Sequence, residues 1–107
     1  MTFVEAVRWF LKAAEQGHVK ALSLVVTAAK QGHAESQHNL GILYNTGQGV
    51  KQYHDKALRW FTKAAEQGHE EARSFLVSAA KQGHAQSQFN LGTLYAKGQG
   101  GVKQERP

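Results

Sequence analysis

The sequence contains no cysteine, and that one absence removes a disulfide framework, a Cys-ligated zinc site, a thiol nucleophile and an iron–sulfur cluster. No apolar run approaches the roughly 18 residues that a membrane-spanning helix requires. The first apolar stretch, MTFVEAVRWFLKAA, is interrupted by Glu5 and Arg8, which spoils a signal-peptide core and leads us to expect a cytoplasmic chain. No segment alternates apolar and polar residues as a half-buried strand does. Like charges never form a block of five: the 13 Lys and Arg residues are spread from Arg8 to Arg106. The net charge of +5 would suit an acidic partner. This dispersion reads instead as a solvated helical surface, and nucleic-acid binding is held as a rival that predicts a steep loss of affinity with salt. What remains is 107 residues with 41% apolar content, enough for one folded domain and too apolar for a disordered chain.

An internal repeat is the main signal. EAVRWFLKAAEQGH from Glu5 returns as KALRWFTKAAEQGH from Lys56, and AESQHNLGILYNTGQG from Ala34 returns as AQSQFNLGTLYAKGQG from Ala85. The offset is 51 throughout, and 31 of the 44 positions in residues 6–49 recur unchanged in 57–100, so the chain is two copies of one unit. A shorter echo lies within each copy. AAxQGH occurs at Ala13, Ala28, Ala64 and Ala79, so each unit holds two related segments and a third ending at Tyr44 or Tyr95.

All three segments predict helices. Ala6, Trp9, Phe10, Ala13 and Ala14 follow the spacing of a core-facing stripe; Ala21, Leu24, Val25, Ala28 and Ala29 repeat it, and Leu40, Leu43 and Tyr44 supply the third. Gly17, Gly32, Gly68 and Gly83 stand where a left-handed C-terminal cap wants no Cβ. Thr2 and Glu5 form a capping box, and Asp55 is the expected N-cap of the fourth helix. The expectation is an all-α antiparallel array of six helices in two 51-residue units. Unit one covers about 5–54, unit two about 55–101, and a frayed tail 102–107.

Ser36-Gln37-His38-Asn39-Leu40-Gly41-Ile42-Leu43-Tyr44, then Gly47-Gln48-Gly49-Val50, Asp55-Lys56-Ala57, Trp60, Lys63-Ala64-Ala65 and Gln67-Gly68 resemble the Sel1-like repeat, a relative of the tetratricopeptide repeat. Residues 34–68 look like one complete family unit, a helix carrying AxxxLGxxY followed by a helix carrying KAxxWxxKAAxQG. The resemblance implies a helical repeat array that binds a protein or peptide as a non-enzymatic adaptor or scaffold.

Two departures stand out. Each unit carries an extra copy of the Trp-type helix, with Leu24 and Phe75 in place of Trp, and an odd helix count reverses direction from unit to unit. A compact bundle or a two-fold arrangement is therefore as open as a solenoid. The chain also starts on a Trp-type helix and stops after a Tyr-type one, with no polar capping repeat at either end. A self-assembling module is the second expectation, as a homodimer in which the last helix pairs with the first helix of another copy, possible by helix exchange. Near-duplicate units also fit a recent duplication, a truncated fragment or a designed chain.

The two copies disagree in their Tyr-type helix at Glu35/Gln86, His38/Phe89, Ile42/Thr93, Asn45/Ala96 and Thr46/Lys97, a spacing that falls on one helical face. In the tetratricopeptide fold that face lines the concave peptide groove. The candidate protein- or peptide-binding residues are accordingly Glu35, His38, Ile42, Asn45, Gln86, Phe89, Thr93 and Lys97, with a solvated, drifting face as the alternative. No catalytic residue, metal site or cofactor is expected. His18, His33, His69 and His84 belong to QGH turns at opposite ends of a helical hairpin and do not converge as zinc ligands must, while His38 and His54 carry no spacing signal. Ser78-Ala79-Ala80-Lys81 matches SxxK without SDN or KTG, and the Gly47–Gly49 and Gly98–Gly101 runs neither follow a strand nor end in GK[ST].

Overall fold

A computed structural model describes residues 2–98 of the chain. They form six α-helices: α1 Phe3–Glu15, α2 Val19–Lys30, α3 Ala34–Thr46, α4 His54–Glu66, α5 Glu70–Lys81 and α6 Ala85–Lys97. Adding 51 to the bounds of α1, α2 and α3 gives those of α4, α5 and α6. The all-α expectation holds for the described residues, and the tail expected to fray, 102–107, lies outside them.

The QGH tripeptide stops one helix and starts the next. Gly17 takes φ 87°, a conformation that L side chains rarely adopt, and this lets the His18 amide turn back to the Ala13 carbonyl at 3.1 Å. The His18 ring then accepts from the Ala21 amide at 3.1 Å, so it is the N-cap of α2. His33, His69 and His84 cap α3, α5 and α6 in the same way, each through Nδ1. An accepting Nδ1 carries no proton, so the neutral ring bears its proton on Nε2. The turn histidines are thus capping groups, a role histidine seldom fills. Thr2 caps α1 as expected, accepting from the Glu5 amide at 3.1 Å. Asp55 does not cap α4: Tyr53 occupies that position with no side-chain bond, and Asp55 sits in the first turn, where its Oδ1 accepts from His84 Nε2 at 3.2 Å.

The helices pack mainly on their neighbours in sequence, and the molecule measures 48 × 29 × 16 Å. It is an extended array and not a compact bundle, because alanine-rich faces on successive helices bury one another before distant helices can meet. Two apolar clusters fill it. Ala14, Ala21, Ala29, Leu40 and Leu43 form the first, with Trp60 of α4 packed against them. Ala57, Phe61, Ala64, Ala65, Ala72, Leu76 and Leu94 form the second, with Ile42 of α3 and Phe75 against them. Tyr44 touches both clusters, and Lys56 Nζ lies 4.9 Å from its ring centre. α3 and α4 therefore lock the two units together.

α3 and α4 meet closely at Gly41, where an added Cβ would lie 2.5–2.9 Å from the Phe61 ring. Its counterpart Gly92 on α6 has no described atom within 4 Å of such a Cβ. Gly41→Ala should then lose about 1–3 kcal/mol through overpacking, whereas Gly92→Ala should gain up to about 1 kcal/mol from helix propensity. Urea unfolding of dilute samples reads both values, and shifts of the same sign would contradict the packing described.

Candidate functional site

The eight variable residues divide into two groups. In the first copy all four turn toward α4 and α5. Glu35 Oε2 accepts from His69 Nε2 at 2.9 Å. His38 is 3% exposed, stacks on His69 at 4.3 Å and faces the rings of Phe61 and Phe75. Ile42 packs on the second cluster, and Asn45 Oδ1 lies 3.0 Å from His54 Nδ1. His38 and His54 are therefore not isolated, and His69, Glu71, Phe61 and Phe75 join the site only through the fold. In the second copy no helix follows α6 among the described residues. Phe89 is 69% exposed, Gln86 bonds to Asn90 on its own helix, and Thr93 and Lys97 line a small pocket with Phe89, Asn90, Thr62 and Glu66. The same face is packing in one copy and open surface in the other.

A cleft of about 620 Å³ lies where the end of α3 meets the start of α4 and the end of α5. Leu58, Phe61 and Phe75 give it an apolar floor; Asn45, His54, Ser78, Gln82 and His84 give it a rim of hydrogen-bonding groups. Phe61 and Phe75 stack face to face, with centroids 4.3 Å apart and planes 2° from parallel, which fixes the Phe75 ring against the buried Phe61. Such a site offers apolar contact and directional hydrogen bonds. Among the described residues no three His, Cys, Asp or Glu side chains gather as a metal site. Nor is any described helix long and apolar enough to cross a membrane.

The Sel1 repeat family model matches residues 3–18, 34–69, 70–84 and 85–106. This chain belongs to the Sel1 repeat family. The match over 34–69 covers α3 and α4, the pair read from the sequence as one complete Sel1 unit, and the stretch between the first two matches holds α2. α2 is thus the helix furthest from the family pattern, although its counterpart α5 lies in a matched stretch. Sel1 repeats generally mediate protein–protein interaction. Comparisons with curated proteins and with solved structures gave no match.

The Sel1 interface between α3 and α5 carries a titrating group. Burial holds the pKa of His38 below its ordinary value, and the nearby His69 acts in the same direction, while Glu35 and Glu71 oppose the shift. His38 Nε2 is 3.4 Å from Glu71 Oε2, and its buried Nδ1 has no hydrogen-bond partner among the described residues. The folded state prefers the neutral ring, so the unfolded chain takes up the proton first as pH falls. This contribution to stability is present above the unfolded pKa of about 6.5 and is lost as pH drops through it toward the lower folded value. Thermal unfolding from about pH 8 down to about pH 5 should show a falling midpoint, and His38→Phe, the residue found at position 89, should flatten the slope. An unchanged slope would exclude His38 as a source.

Proposed function

We propose that this Sel1 repeat chain is a non-enzymatic protein–protein interaction module, an adaptor or scaffold that holds a protein or peptide in the cleft between α3, α4 and α5. The observation that carries this reading is the apolar lining of Leu58, Phe61 and Phe75 beside five polar side chains in one cleft. A peptide laid there would bury an apolar side chain against Leu58 and Phe75, which are half-buried, and exchange hydrogen bonds with Asn45 and Gln82. Of the eight candidate residues, Asn45 contributes to this cleft, Glu35, His38 and Ile42 support its α3 wall, and Gln86, Phe89, Thr93 and Lys97 form a second contact surface. A cytoplasmic setting belongs to the same proposal.

Self-association is the second reading, favoured by the exposure of Phe89. A homodimer made by exchanging α6 would re-form between the two copies the bonds from Gln88 Nε2 to the Ala80 carbonyl, 3.0 Å, and from Asn90 Nδ2 to Thr62 Oγ1, 3.3 Å. A dimer that leaves α6 in place keeps both within each copy.

The cleft is tested by placing a photo-crosslinking amino acid at Gln82, on its rim, and at Ser23, on α2, in the native host. Adducts to other proteins should form from position 82 and not from 23. Ser78→Trp, which fills the cleft from an exposed position, should lower the yield about tenfold with the helical content unchanged. Equal labelling from both positions, or insensitivity to Ser78→Trp, would remove the cleft from the account.

A further inference from the structure

We infer that α6 is a seat for a second copy of this chain, which docks its α1–α2 hairpin there head to tail. The inference goes beyond the cleft and does not depend on it. Its basis is an interface already formed inside the molecule. On α3, Gly41 admits the Phe61 ring, His38 meets Phe61 and Phe75, and Trp60 packs against the cluster that contains Leu40 and Leu43. These are a seat on one helix and three projecting side chains on the next two.

Both halves occur a second time, and among the described residues nothing is seated on either. The seat recurs 51 residues on: Gly92 has open space where Gly41 has a ring, and Phe89 is 69% exposed where His38 is 3%. Leu94, the counterpart of Leu43, lines the open pocket of about 210 Å³ beside Thr62 and Phe89. The projecting side chains recur 51 residues earlier. Trp9, Phe10 and Leu24 stand for Trp60, Phe61 and Phe75, and they are 61%, 37% and 39% exposed. A glycine in mid-helix weakens α6 and makes no contact within the described chain to compensate. A ring arriving from another molecule would use the gap.

The external version is also the more apolar one. Inside the chain the seat buries a histidine beside Glu71; outside, it would pair Phe89 with Leu24, with Lys20 in the place of Glu71. No imidazole has to be stripped of water there. Because the seat and the projections are different surfaces, the contact is heterologous, and copies add in one direction until a ring closes or a filament grows.

Light scattering after size-exclusion chromatography, from low micromolar to millimolar chain, should show a molar mass that rises with concentration. Gly92→Leu should hold the chain at one copy with its helicity kept, since its side chain points into open space in the single molecule. Trp9→Asp, or Leu24→Lys if that variant does not fold, should do the same from the other side. Mixed in equal amounts, the two variants should form a one-to-one dimer and stop, because one keeps a working seat and the other working projections. A wild-type chain that stays a monomer throughout would overturn the inference. So would assembly unaffected by Gly92→Leu, or a mixture that does not associate. A monomer that still gives cleft adducts from Gln82 would overturn this inference alone; the reverse result would overturn the cleft alone.

Discussion

The contact of the Phe61 ring with the bare backbone of Gly41 sets the distance between the two units, and other features of the joint follow from it. At that separation α3 lies close enough to α5 for His38 to be enclosed between Phe61, Phe75 and His69. Tyr44 can then reach both apolar clusters, and Gln37 Oε1 accepts from Gln67 Nε2 at 2.9 Å across the joint. The Val50 side chain of the intervening loop fills the remaining edge of the first cluster. A larger residue at position 41 would open this joint and, with it, the floor of the cleft, which is made of residues from the same contact.

Much of this was legible from sequence. The 51-residue repeat, six helices, turn glycines and Sel1 resemblance all rest on strings of residues whose backbone demands are local. The role of the turn histidines was missed because a sequence shows their position and not the ring nitrogen that reaches back to the next helix. Asp55 is a good capping residue by type, but the N-cap of α4 falls two residues earlier, at Tyr53, which leaves Asp55 inside the first turn and beside His84.

The variable face of the Tyr-type helix teaches a different lesson. Its spacing places the variable positions on one helical face, but the reason for the variation is not in the pattern. His38 and Phe89 differ in their surroundings: one is enclosed by the following two helices, whereas the other is the last surface among the described residues. Among the described residues the two copies of this face have different neighbours. Trp9 and Trp60 show the same effect at the other side, where an identical residue is exposed in the first copy and half-buried in the second. The cleft was invisible from the sequence because Asn45, Leu58 and Gln82 share no motif; only the joint brings them together.

The central claim is that position in the array, and not sequence, decides whether this Sel1 helix face is interior or open. Amide hydrogen exchange on α3 and α6 tests it most directly, since Asn39, Leu40, Gly41, Leu43 and Tyr44 recur unchanged at 90, 91, 92, 94 and 95. In dilute solution the account predicts slower exchange in α3 than in α6, with the gap narrowing as concentration rises and α6 becomes covered. Equal exchange in the two helices at every concentration would contradict it.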